Sequence, residues 1–196
     1  MWAMQRAHFS RIFLIASTLL IPALAFPQAE TWQLDPNHSS AQFAVRHLGI
    51  STVRGAFTKV SGAVQYDAAN PTKSSCDITI DATSVDTRVE RRDNDVKGPN
   101  LLDVEHYPTI IFKSKRVEAA GKGKLKITGD LSIHGTTKEV VLDVDGPTDP
   151  MKDPRGRSHM GASATTKINR KDFGVSGLSA VVGDDVTITI DVEMVR

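Results

Sequence analysis

Asp35, His38 and Ser39 bring the side-chain types of a hydrolytic triad together within five residues. A triad needs a nucleophile and a base that reach each other from separately held backbone. Asp and Ser this close together serve ordinary turn and strand-start bonding to local backbone groups. The sequence therefore assigns no catalytic residue, and a small hydrolase built on Asp35, His38 and Ser39 is kept only as the alternative. Asp172-Phe173-Gly174 matches a kinase metal-binding triplet, but no glycine-rich loop or catalytic loop accompanies it, so it reads as a turn. Asp143-x-Asp145-Gly146 begins like a calcium loop and lacks the later ligands and closing Glu. His47, His106 and His134 do not show zinc-ligand spacing, so no metal site is expected.

Arg88, Arg91 and Arg92 are a different case. Offsets of three and four put them on one face of a helix, where with His47 they would hold a phosphate or carbonyl head group. The competing reading is a solvated face balanced by Glu90, Asp93 and Asp95.

These residues must be positioned by something, and the sequence supplies mainly strands. Leu125, Ile127, Gly129, Leu131 and Ile133 alternate with Lys126, Thr128, Asp130 and Ser132. A period of two over nine residues is a strand with one wet and one apolar face. His134 to Thr137 break it, and Lys138 to Asp145 resumes β character, which gives an antiparallel hairpin over Lys122 to Asp145. Similar alternation runs through Ser40–Leu48 (Phe43, Val45 and His47 on one face), Val53–Phe57, Val60–Tyr66, Cys76–Ala82, Thr109–Val117, Ser158–Ile168 and Asp185–Met194. Cys76 alternates with Ile78 and Ile80 and reads as a buried small apolar side chain. Thr87-x-x-Glu90 fits a capping box opening a helix that Gly98-Pro99 ends, and Leu101, Leu102 and Val104 suggest one more helical turn. Gly146 to Gly156 reads as a long mobile loop.

About eight strands without a βαβ rhythm make an all-β antiparallel fold. Glycines 62, 129 and 161, expected in inward rows, favour a closed eight-stranded barrel with one or two short helices between strands, wide enough for one slim ligand. The expected bore is lined by Phe43, Val45, Phe57, Val64, Ile110, Phe112, Leu125, Ile127, Leu131, Ile133, Ile188 and Ile190.

At the N-terminus, Arg6 and Arg11 precede the apolar run Ile12 to Ile21 and Ala23-Leu24-Ala25. That is a secretory leader, residues 1–25, too short for a spanning helix of roughly 20 apolar residues. Its removal leaves a single domain over residues 26–196, with 22 basic against 23 acidic residues, which gives no electrostatic case for nucleic acid. One cysteine permits no internal disulfide, which suits a bacterial periplasmic domain held by its core.

Five motifs in order now point to a family. They are Asp35-x-x-His38-Ser39 leading into Phe43-x-Val45-x-His47; Gly55-x-Phe57; Tyr107-Pro108 before Phe112-x-Ser114; Gly129-x-Leu131-x-Ile133-x-Gly135-x-Thr137; and Arg170-x-Asp172-Phe173-Gly174. From Trp32 onward the chain resembles the YceI-like family of lipid- or polyisoprenoid-binding periplasmic proteins. The resemblance implies a lipocalin-like barrel whose pore takes a long isoprenoid, prenyl quinone or fatty-acyl chain. It implies binding and transport rather than catalysis, with no cofactor beyond the lipid; an enzyme acting on such a lipid is the alternative beside the small hydrolase. A homodimer and transient contact with a membrane or membrane protein are compatible with it. Where the family commonly reads Arg-Asp-x-His-Leu, this chain has Arg92-Asp93-Asn94-Asp95-Val96, and the extra negative charge would disfavour a nearby diphosphate.

Overall fold

Twelve strands and one α-helix make up residues 29–196, the part of the chain that this computed structural model describes. The leader, 1–25, lies outside the described residues. The strands are β1 (Glu30–Leu34), β2 (Ser40–His47), β3 (Ser51–Phe57), β4 (Val60–Tyr66), β5 (Ser75–Asp81), β6 (Val85–Asp86), β7 (Thr109–Ala119), β8 (Lys124–Ile133), β9 (Thr136–Asp145), β10 (Met151–Lys152), β11 (Ser158–Asn169) and β12 (Val182–Val195). The helix α1 (Glu90–Lys97) stands between β6 and β7.

All pairings are antiparallel. β2 pairs with β3 and β1 with β4, so β1/β2 and β3/β4 are two long broken staves of one hairpin. β5, β7, β8, β9 and β11 follow in order, and β12 closes the ring. Along one flank β12 meets β11 from Asp185 to Val195; along the other it meets β2 and then β1. The result is a lipocalin-like eight-stranded closed barrel, as the strand count implied.

The β8–β9 hairpin turns through His134 and Gly135, both at positive φ (50° and 73°), which is the twist a two-residue hairpin needs. Gly135 has a second reason to be glycine, since a Cβ there would lie 2.6 Å from the Tyr107 ring. Its apolar row faces inward with Leu142 and Val144 of β9. The outer surface carries cross-strand ion pairs such as Lys113–Asp77, Lys115–Asp130 and Lys167–Asp185. A barrel that spans a bilayer has an apolar outer band instead.

Several expectations need correction. β1 is a strand that period-two counting missed, because only Trp32 and Leu34 of its five residues face inward. Gly161 faces outward: Met160, Ala162 and Ala164 hold the inward positions of β11. Only one α-helix forms among the described residues; Gly98 takes an extended φ of −72° and ψ of 170°, Pro99 cannot donate, and Leu101 to Tyr107 make hydrogen-bonded turns instead of a second helix. The capping box does not form either, since the helix N-cap is Val89. Thr87 is instead fully buried, and its N–H and hydroxyl both donate to Asp93 at 2.7 and 2.6 Å. Nor is 146–156 a free loop. Met151–Lys152 pair with β11, Thr148 bonds Gly161 in both directions, and Asp153 accepts from Arg155 and Arg157.

Candidate ligand cavity

Inside the barrel is a cavity of about 530 Å³, within the usual range for small-molecule sites. It exists because the inward rows alternate as β-strands must, and because the helix and loops at one end leave an opening. Phe43, Val45, Phe57, Val64, Ile110, Phe112, Leu125, Ile127, Leu131, Ile133, Ile188 and Ile190 all lie on its wall. Leu142, Val144, Val186 and Val192 lie on the same wall without having been named for it; Val186 and Val192 continue the apolar row of Ile188 and Ile190, and Leu142 and Val144 alternate with Asp143 and Asp145.

One end is closed. Trp32, Leu34, Met160 and Met194 pack there almost without exposure, and the Arg196 guanidinium sits 5.2 Å from the Trp32 ring centroid. The Trp32 indole N–H is buried without a protein acceptor. Cys76 also lies on the wall, and desolvation pushes its thiol up to about 11 despite the hydroxyl of Ser114 beside it.

The opposite end is the mouth. Around it stand Val89, Arg91, Arg92, Asp95 and Val96 from the helical segment, Leu178 and Val181 from the loop before β12, Val182 at the start of β12, and His47 and Val53 from the β2–β3 hairpin. The charged side chains lie toward this end, while the wall below carries only scattered uncharged polar residues such as Ser75 and Thr166. Arg91 and Asp95 are four apart on the helix, so they share a face, but no ion pair joins them. Arg92 is committed elsewhere: its Nε donates to Thr87 Oγ1 at 2.9 Å and its Nη2 to the Thr87 carbonyl at 2.7 Å. Arg88 is not on that helical face. It precedes the helix at φ 67°, its backbone N–H donates to Asp86, and it does not line the cavity. The expected arginine trio is therefore one rim residue, one structural clamp and one outlying side chain, because the helix begins two residues later than the capping box implied.

Arg170, which the sequence marked only as part of a motif, fixes the loop at the mouth. Arg170 is buried, and its donors reach the carbonyls of Val175, Gly177, Val182 and Gly183 at 2.7–3.0 Å, with Ser179 and Asp184 at 3.3 Å. Its Arg-x-Asp-Phe-Gly context was the available signal. Phe173 is buried and Gly174 is left-handed at φ 78°, so that triplet is a turn.

Asp35, His38 and Ser39 do not assemble a triad. His38 Nδ1 lies 3.0 Å from Asp35 Oδ2, but Ser39 Oγ donates to the carbonyl of Glu193 and accepts from its N–H. The structure does bring Glu193 to this pair, so that ligand-type atoms of Asp35, His38 and Glu193 lie within 4.8 Å of one another. Glu193 in turn accepts from His159 at 2.6 Å, and His159 meets Asp153. The His38 contact lowers the Asp35 pKa, and Asp35, then Glu193, raise that of His38.

Comparison with known proteins agrees with this architecture. A UPF0312 protein of Vibrio cholerae is 33% identical over 179 residues, covering 90% of this chain and 93% of the relative. The solved Campylobacter jejuni YceI protein is 33% identical with a TM-score of 0.67, covering 77% of this chain and 89% of that one. A polyisoprenoid binding domain from Saccharophagus degradans, implicated in plant cell wall breakdown, shares the fold at 16% identity, with a TM-score of 0.60 over 86% of this chain and 98% of that one. The model of the YceI-like domain matches residues 32–194, from the tryptophan at the closed end to the last inward methionine of β12. With the barrel, the apolar bore and these relatives in agreement, the chain belongs to the YceI-like domain family.

Proposed function

We propose that this protein is a periplasmic carrier that sequesters one long-chain apolar lipid, of polyisoprenoid, prenyl quinone or fatty-acyl type, in its barrel. The single observation behind this reading is the cavity of about 530 Å³, whose wall is predominantly apolar from the closed end to the rim. Burial of apolar chain there is favourable by about 0.8 kcal/mol per methylene. The structural neighbour described as a polyisoprenoid binding domain supports the same ligand class. The chain enters tail first, and its head stays at the rim beside His47, Arg91 and Asp95. Arg92 contributes by holding the helix, and Arg88 from outside the bore. The leader at 1–25 would deliver the chain to the periplasm as one domain, 26–196.

The test is to express the protein with its leader in a Gram-negative host and purify it without detergent. Organic extracts are then analysed by mass spectrometry. The expected result is one apolar chain per protein. Trp32 is the lone tryptophan once the leader is gone, so binding of a prenyl quinone should quench its fluorescence. Protein that carries no lipid and shows no quenching contradicts the carrier.

A further inference from the structure

Seven large apolar side chains are exposed among the described residues, and four of them, Leu48, Ile50, Val89 and Leu178, stand at the mouth. Their exposures are 54, 78, 47 and 44%. Val89 and Leu178 also line the cavity, so this surface and the bore form one continuous apolar path. Leu48 and Ile50 belong to the β2–β3 turn, outside the cavity wall.

The turn and the neighbouring loop are fixed together. Leu48 N–H donates to the Val181 carbonyl at 2.8 Å, and Arg46 ties the turn through Gly49 O at 2.6 Å and Thr52 Oγ1 at 2.9 Å. Arg170 fixes the loop from below. Both leucines sit in the left-handed region, at φ 50° and 55°. That conformation favours Gly or Asn, and a γ-branched apolar residue in it is uncommon. Folding alone would place a small polar residue at each position. Two strained, outward leucines with no core to pack against indicate a surface role. Arg88, next to Val89 in the chain, and Arg91, on the rim, are exposed and make no ion pair with a described residue; Glu90 between them is exposed too, and Asp95 lines the rim.

We propose that this rim docks on a phospholipid bilayer, with Leu48, Ile50, Val89 and Leu178 entering the acyl boundary and Arg88 and Arg91 meeting lipid phosphates. The inference rests on the lipid-carrier reading. A long apolar chain then passes between bilayer and bore without crossing water. Arginine stems tolerate apolar surroundings while their heads form charge-assisted bonds to phosphate. Shallow insertion of a few apolar side chains gives reversible binding that suits a carrier.

The test uses the Leu48→Asn/Ile50→Gln double variant, because neither residue lines the bore and Asn tolerates a positive φ. Flotation with phosphatidylethanolamine–phosphatidylglycerol vesicles is measured, together with the rate at which a fluorescent prenyl lipid moves from donor to acceptor vesicles. The double variant should lose flotation and transfer lipid about tenfold more slowly or worse. Its lipid load from detergent solution should match wild type. Arg88→Gln should weaken flotation on phosphatidylglycerol vesicles more than on phosphatidylcholine, whose phosphate is offset by its choline. Wild-type flotation and transfer in a normally folded double variant would overturn the proposal. So would transfer that needs an added membrane protein, because the rim would then fit a receptor. A protein that floats yet never carries lipid would leave docking intact and remove the carrier reading instead.

Discussion

The Phe112 ring occupies the space beside Gly129 that a side chain would need. A Cβ on Gly129 would come within 2.5 Å of both Phe112 Cζ and the Lys113 carbonyl oxygen. The glycine is therefore spent on packing inside the wall, not on widening the bore.

Gly129→Leu should consequently cost about 1–3 kcal/mol or more of stability through overpacking. Ile127→Phe enlarges a side chain that lines the cavity, so it should lower lipid load while melting stays near wild type. Thermal melting and extractable lipid on the same preparations check both. An Ile127→Phe protein that melts far below wild type yet carries a normal load would show a filled core there.

Arg170→Met leaves at least four backbone carbonyls without their charged donor. Removing one partner from such a buried network costs about 3–5 kcal/mol. Urea denaturation should show the loss, and amide exchange should accelerate first in residues 175–183. Unchanged protection of that loop would contradict the clamp.

The His38–Asp35 contact makes stability depend on pH in a defined direction. His38 is raised above its ordinary 6.5, so its contribution is complete below pH 6.5 and fades as pH climbs through the folded value. Asp35 is lowered from 3.8, so its share is complete above pH 3.8 and is lost on acidification through the folded value. Wild type should exceed His38→Gln in melting temperature most between pH 3.8 and 6.5, with the gap narrowing toward pH 8. A gap that widens with rising pH would have the wrong sign for this ion pair.

Cys76 should be a slow thiol. A rise from 9.0 to about 11 leaves about 100-fold less thiolate at pH 8. Iodoacetamide should label the folded protein at least that much more slowly than the urea-unfolded chain. Since the thiol is on the cavity wall, the alkylated protein should also hold less lipid.

Secreted protein should begin at Phe26 and read Phe-Pro-Gln-Ala-Glu, from cleavage after Ala23-Leu24-Ala25. N-terminal sequencing decides this, and an intact Met1 in a membrane fraction would oppose it.

The barrel was readable from sequence because period two is a local property, and Leu125 to Ile133 display it without help from the rest of the chain. The mouth was far less readable. Whether Arg92 meets a ligand or Thr87 depends on where α1 starts, and that depends on an Asp93–Thr87 contact no propensity encodes. The outward placing of Gly161 was hidden for a similar reason. Ser158 to Ile168 is built of small residues whose two faces look alike until β12 fixes their register.

The strand that completes the barrel is also the last of the twelve described strands in chain order. Until residues 182–195 are available, β11 and β2 are two unpaired edges, and Phe43, Ile110 and Leu131 enclose nothing. No shorter nascent length contains the cavity. Joining the first staves to the final one is a long-range closure, which is slow compared with local hairpins. The enclosed bore is thus a property of the closed ring alone: local hairpins can form earlier, but no subset of them holds an apolar chain away from water until β12 bridges β11 and β2.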